Sequence, residues 1–468
     1  MSGRYSTMNQ ASADRRGGGR LSVLIRSVFT WIAGRPAQRR IPGPVDDSSP
    51  PAWASTRDDW AEAPLSMGAA SPNPRVLRRG AIFSAFNAAL PVTDRHGLAG
   101  RSVELDRLIE AVVRQHKHAI IFGARGSGKT SLVRVFGDLA DEAGCVALYA
   151  SASSDASFED LFRPFLAELP IGASGKTQAD RLAVGGFDVA QFANLLVAEI
   201  RPRTLLIIDE FDRIESAKVK QDVAALLKLL TDILSPVQIV LVGIAGDVEG
   251  LIAAHPSLRR HLTTQQVKPI AGEELAALLH GCANQVGLSV GATAMDSIVA
   301  AAMGSPYHAR LFGMHAALAA DAAGHDEIGD ADATAGLANS LSEWADVAGN
   351  THEVFAHALD THDDARRMVA LAGVVAAQLS VVSADRLTAI GTDLFGSEDE
   401  ARRAATEALA RLDPALSAVT GGRDHQFEDS LAPQFLVLMA KNAVARPAAG
   451  TPNRSAEMRS LLQGVAGL

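Results

Sequence analysis

The octapeptide Gly123-Ala124-Arg125-Gly126-Ser127-Gly128-Lys129-Thr130 restricts this chain more than any other feature. It fits the phosphate-cradling pattern G-x-x-x-x-G-K-[ST] in full. A backbone that wraps a polyphosphate turns its N–H groups inward, through dihedrals that glycine adopts freely. The flanks have matching character. HAIIFG before the loop is a short apolar run of the kind that forms a buried parallel strand. SLVRVFGDLADEAG after it has helical spacing and closes at Gly144. Strand, loop and helix in that order bring the run 123–131, ending in Ser131, to a helix N-terminus suited to an anion. Lys129 is expected to place its ammonium on the β- and γ-phosphates, and Thr130 its hydroxyl on Mg2+.

A second landmark lies 209 − 129 = 80 residues after the lysine. Leu205-Leu206-Ile207-Ile208 reads as a buried strand that delivers Asp209-Glu210 to its C-terminal end, where parallel sheets bind ligands. Asp209 is expected to hold Mg2+ through water, and Glu210 to orient the attacking water as a general base. Asp212 and Arg213 are expected to solvate or cap the following helix. CVALYAS and QIVLVGIAG read as two further buried strands, and 188–200 and 219–233 as helices. Strands alternating with helices predict an α/β core with a parallel sheet covered on both faces. After Pro269 the strand signals stop. Three helical patterns separated by glycine turns follow, then a polar stretch around 325–334 and more helices to about Leu412. PALSAVTGGRDHQFEDSLAPQFLVLMAKN then reads as strand, Gly-Gly turn, strand and helix, the pattern of a winged helix.

Composition removes several classes. Lys+Arg of 44 against Asp+Glu of 53 gives a net charge of −9, which excludes a generally basic nucleic-acid coat. Aromatic residues make up only 5%, which favours Ala/Leu-rich helices over an all-β protein. Cys145 and Cys282 cannot build a disulfide framework or a structural zinc site, and a reduced, cytoplasmic setting is expected. His352, His357 and His362 are spaced by five and do not converge on a metal. No stretch reaches the roughly 18 apolar residues of a membrane span. The closest, residues 21–33, has helical apolar spacing broken by Arg26. A weakly ordered arm is preferred there over a secretory signal or a membrane-surface or partner-binding helix.

The GARGSGKT loop, joined to Asp-Glu after a buried strand, resembles the additional-strand P-loop ATPases, the AAA+ superfamily. Upstream, LAGRSVELDRLIEAV resembles the Gly-Arg box that opens origin-recognition-like and STAND ATPases, and DEFDRI resembles their acidic box. The resemblance covers about 89 to 320 and implies ATP and Mg2+ as cofactors. It implies adenine-side contacts from Gly100 and Arg101. It places a sensor at Ala245-Gly246-Asp247, where the usual Asn or Thr is missing, so that slow hydrolysis is expected. It puts an arginine finger, reaching a neighbouring subunit, at Arg259 or Arg260 of HPSLRRHL. In the lid segment GSPYHARLFG it makes Arg310 the nucleotide sensor and His308 the second candidate, with Pro306 in the first helical turn.

The expected organisation is a Pro/Gly-rich basic arm at 1–80, an AAA+ core at 81–268 and a helical lid at 269–335. A helical, winged-helix-like domain at 336–442 and a tail at 443–468 follow. The expected function is Mg2+-dependent ATP binding with slow hydrolysis, used as a conformational switch. The alternatives are an ATP-dependent DNA-binding protein and a non-hydrolysing scaffold. Expected partners are ATP or ADP and either a second copy or a partner protein. DNA is disfavoured because the wing, Gly421-Gly422-Arg423-Asp424-His425, carries one firm positive charge and one acid.

Overall fold

The computed structural model describes residues 74–88, 98–171, 179–180, 182–243, 256–419 and 423–445. The segment 21–33, the tip Ala245-Gly246-Asp247, and Gly421 and Gly422 lie outside the described residues.

The chain enters through helix α1 (Pro74–Ala85) and helix α2 (Ser102–Leu108), which continues as a π-helical turn, Ile109–Arg114. The sheet elements and their crossovers follow: β1 (His118–Gly123), α3 (Lys129–Glu142), β2 (Val146–Ser151), α4 (Phe158–Leu166), α5 (Val189–Glu199), β3 (Thr204–Asp209), α6 (Ala217–Asp232), β4 (Val237–Gly243) and β5 (Leu262–Val267). The strand order is β2-β3-β4-β1-β5, with every pairing parallel. Parallel strands buried on both faces need continuous apolar runs. The runs supply them by alternation: Ile120, Leu206, Ile208, Ile239 and Leu241 enter one core, while Ile121, Leu205, Ile207, Val240 and Val242 enter the other. Helix starts are set by side-chain caps. Ser157 and Asp160 form a capping box for α4, as Asp188 and Gln191 do for α5.

Beyond the sheet come α7 (Gly272–Gln285), β6 (Ser289–Val290), α8 (Ala292–Ala302), α9 (Pro306–Ala323), β7 (Glu327–Ile328) and α10 (Asp330–Val347). Then follow α11 (Gly349–Leu359), α12 (Asp363–Leu379), α13 (Ala384–Phe395), α14 (Glu398–Leu412), β8 (Leu416–Ala418), β9 (His425–Phe427) and α15 (Ala432–Ala445). Strands β8 and β9 pair antiparallel, with Leu416 opposite Phe427.

Three features differ from the sequence expectation. Strands do not stop at Pro269, because β6 and β7 form a two-residue parallel ladder, each too short to show a period. The polar stretch near 325–334 contains the start of α10: Gly329 N–H donates to Asp332 at 3.0 Å, so the acids there cap a helix. The boundaries at 80/81 and 335/336 fall inside α1 and α10. A single hydrophobic cluster runs from Ile82 and Phe86 through Phe312 and Leu337 to Phe355 and Phe435, so lid and C-terminal helices share one core. Both free cysteines are buried. Among the described residues no helix is long and apolar enough to cross a membrane, and no group of three His, Cys, Asp or Glu could hold a metal ion.

Candidate functional site

Strand β1 ends at Gly123, hard against the end of β5: a Cβ there would sit 2.3 Å from the Val267 carbonyl oxygen. Gly126 and Gly128 both take positive φ, 71° and 89°, and Gly128 is the residue from which α3 springs. The loop is therefore bent so that the first turn of α3, carrying Lys129, Thr130 and Ser131, opens toward the C-terminal edge of the sheet. Lys129 Nζ donates to the carbonyl oxygens of Gly123 at 2.9 Å and Ala124 at 3.1 Å, closing the loop on itself. Burial lowers the Lys129 pKa, against the opposing pull of Asp212, Asp209 and Glu210. The Ser127 hydroxyl oxygen is buried in the loop, with no hydrogen-bond partner among the described residues.

Asp209 ends β3 beside this turn. Its Oδ2 accepts from the Thr130 hydroxyl at 2.8 Å and its Oδ1 from the Glu210 amide at 2.8 Å. Glu210 has φ of +56°, a left-handed conformation uncommon outside glycine and often held at functional sites. That turn starts a single 3-10 turn, Phe211–Arg213, and directs the Glu210 carboxylate to Arg213 at 3.2 Å. Phe211 is buried and anchors the turn. Asp212, expected to solvate the next helix, instead faces the phosphate loop and lies 3.9 Å from Arg125.

A cleft of 420 Å3 lies over these groups. Gly126, Gly128, Lys129, Thr130, Ser131, Asp209, Glu210 and Asp212 form its floor, and Pro306, Tyr307 and Arg310 of α9 form one wall. Arg125 sits at the rim and donates to the Ser430 hydroxyl at 3.4 Å. Glu428, Asp429 and Leu431 close the top from the β9–α15 connection. Sequence reasoning gave no role to 428–431 or to Asn87 and Ala88, which also line the cleft. Arg125 and Ser430 are separated by 305 positions, and no local pattern signals such a meeting.

The remaining expected residues fall elsewhere. Arg101 is buried below the loop and does not line the cleft. It donates to the carbonyl oxygens of Ser127, at 3.0 Å, and of Lys268, and to Glu104 at 3.1 Å. Burial lowers its pKa, with Glu104 opposing. Its geometry is that of a brace between the phosphate loop and the end of β5. Gly100, next to it, abuts the Glu274 carboxylate of α7. Arg310 reaches the cleft but donates to the Asn87 carbonyl oxygen at 3.3 Å, tying lid to entry segment. Arg259 and Arg260 are exposed on a 3-10 turn, Pro256–Arg260, and neither lines the cleft of its own chain.

Residues 88–311 match the family described as Novel STAND NTPase 1. No curated protein matches the chain. Among solved structures, the chain is similar to the ORC2 protein of Aeropyrum pernix in ADPNP–ADP complexes, at 15% identity and TM-score 0.42, over 77% of this chain and 96% of that one. Cdc6p from Pyrobaculum aerophilum aligns at 14% identity and TM-score 0.42, over 78% and 99%. A Walker-type ATPase of Pyrococcus abyssi aligns at 16% identity and TM-score 0.43, over 76% and 99%. The phosphate loop and the five-stranded parallel sheet lie within the residues that match this family, so the segment 88–311 is similar to a P-loop NTPase of the STAND type.

Proposed function

We propose that the chain binds ATP with Mg2+ and hydrolyses it slowly, using the bound state as a conformational switch. The observation that carries this reading is the Asp209 carboxylate. It gathers the Thr130 hydroxyl and the Glu210 amide beside a loop whose lysine donates to two of the loop's own carbonyls. Such a site fits a polyphosphate. Lys129 would exchange two carbonyls for phosphate oxygens, and the lone Ser127 hydroxyl and the loop amides have capacity to spare. Thr130 and Asp209 would hold Mg2+, which supplies charge neutralisation for the transferred phosphoryl group. Glu210 would orient and deprotonate water once its carboxylate leaves Arg213.

The switch reading is supported by what closes the cleft. Glu428 and Asp429 lie over a floor that already holds Asp209, Glu210 and Asp212. Five acids around three bases, Arg125, Lys129 and Arg310, favour a nucleotide of lower charge in this closed form. A full triphosphate would press the β9–α15 connection outward, away from α9 of the lid on the opposite wall of the cleft. Arg259 and Arg260, exposed at the surface, are the groups proposed to reach a neighbouring copy. In the C-terminal part, Arg386 pairs with Asp424 at 3.2 Å and Arg402 with Glu398 at 2.7 Å, which favours a protein-contact role over DNA binding.

The test compares phosphate release by wild type and Glu210→Gln, with native mass measured with and without ATP. Turnover in wild type and a loss of about 100-fold or more in the variant, with binding retained, is expected. Bound ATP with no turnover in either protein contradicts the hydrolysis step. A mass that rises with ATP in wild type but not in Arg259→Ala or Arg260→Ala supports the trans contact.

A further inference from the structure

His308 stands between the phosphate loop and the C-terminal helices. Its backbone N–H caps on Ser305 Oγ at 3.3 Å, its Nδ1 lies 2.9 Å from the same oxygen, and its Nε2 lies 3.1 Å from the Leu431 carbonyl oxygen. The Ser305 hydroxyl oxygen also lies 3.1 Å from the Gly126 carbonyl oxygen. The result is a line of three contacts: Gly126 O, Ser305 Oγ, the imidazole, Leu431 O. Phe312 and Phe435 pack at 5.6 and 5.5 Å from the ring and keep water away.

The hydrogens along this line do not suffice. Both ends are carbonyl oxygens, which only accept. Three contacts require three hydrogens, while a serine hydroxyl and a neutral imidazole supply two. An imidazolium would supply the third, but complete burial opposes the charge and pushes the ring pKa down to about 3. Two neutral arrangements remain. With the proton on Nε2, Leu431 is held and the Ser305 hydroxyl must turn to Nδ1, releasing Gly126. With the proton on Nδ1, Ser305 is free to hold Gly126, and Nε2 faces Leu431 O lone pair to lone pair.

We propose that His308 is a positioning residue whose two tautomers make the grip of Ser305 on the phosphate loop and the docking of Leu431 mutually exclusive. This rests on the nucleotide-binding reading of the same site. In the unliganded, docked chain the Nε2–H tautomer prevails. When Mg2+ and a non-hydrolysable ATP analogue fix the loop, Ser305 commits to Gly126, the ring changes to Nδ1–H, and the β9–α15 connection loses its hold on α9. The coupling needs no charge change, only a shifted proton in a bistable chain.

The test is nitrogen NMR of isotope-labelled histidine rings in the full chain, with His308 assigned from the signal missing in His308→Gln. Binding is measured in the same titration. The expected result is an Nε2–H ring without ligand and an Nδ1–H ring with the analogue. Ser305→Ala, which cannot grip Gly126, is expected to stay Nε2–H in both states, and Ser305→Thr to change as wild type does. Bound analogue with an unchanged tautomer overturns the relay alone, as does an imidazolium at neutral pH, which would satisfy all three contacts at once. Absence of binding overturns the nucleotide reading and the relay with it.

Discussion

The Thr130 hydroxyl donates to Asp209 Oδ2 at 2.8 Å, joining two positions 79 apart in the chain. With the Glu210 amide on the other oxygen, the carboxylate is held at both atoms by the protein itself. Preorganisation of this kind lowers the ordering needed on binding. Asp209→Asn keeps the shape and removes the charge. Wild type is expected to bind a fluorescent ATP analogue about tenfold more tightly, or better, with Mg2+ than with a chelator, a gain near 1.4 kcal/mol. The variant should bind equally in both. An unchanged Mg2+ dependence in Asp209→Asn contradicts the assignment.

Arg101 braces the loop from below, with one guanidinium nitrogen on the Ser127 and Lys268 carbonyl oxygens. Lysine carries the charge without the fork, and cannot meet both carbonyls and Glu104 together. Arg101→Lys is expected to weaken nucleotide binding by about 10-fold while the fold persists, through about 1.5 kcal/mol of lost charge-assisted bonding. An adenine contact would instead make the loss depend on the base. Titration with ATP and GTP separates the two: the brace predicts the same factor for both.

Gly123→Ala places a methyl group 2.3 Å from the Val267 carbonyl oxygen, a backbone atom that cannot swing aside. The end of β1 must then part from β5. A loss of about 1–3 kcal/mol in unfolding free energy is expected from urea titration, together with weaker nucleotide binding. A variant as stable as wild type would mean that the sheet edge gives way freely.

The local parts of this site could be read in the sequence because their causes are local. Gly126 and Gly128 are where the chain must take positive φ, and the four apolar residues before Asp209 alternate between two cores, so strand and loop announce themselves. Arg101 was legible as important but not in its direction: nothing in the Gly-Arg pair says whether the side chain turns up to a base or down to the loop. Glu428 to Leu431 were invisible for another reason. Their approach to the P-loop depends on the shared core of α9, α12 and α15, a set of long-range contacts without a period. The expected cut at 335/336 likewise falls inside α10, which sends Ala333 and Leu337, one on each side of it, into the same core.

His118 opens β1 with its ring inside the fold. Nδ1 accepts from the Ile239 amide at 2.9 Å, and Nε2 faces the Leu227 carbonyl oxygen at 3.1 Å. Burial pushes its pKa down from 6.5 to about 4. Between those values the unfolded chain takes a proton that the folded chain refuses. The stability from the neutral ring is therefore full above pH 6.5 and is lost as pH falls toward 4, about 3 kcal/mol in all. His118→Gln should be less stable at pH 7, yet its stability should fall less steeply over this window, by about one proton. Parallel curves for the two proteins contradict the buried neutral ring.

The claim on which the rest depends is that the loop amides and Lys129 hold the phosphates of a nucleotide. Titration calorimetry of the full-length protein with Mg2+ and ATP tests it most directly, with Lys129→Ala as the comparison. Saturable binding of one nucleotide per chain in wild type, weakened about 100-fold or more in the variant, is the predicted result, a difference near 2.7 kcal/mol. Equal binding by the two proteins, or none by wild type at millimolar ATP, would contradict it.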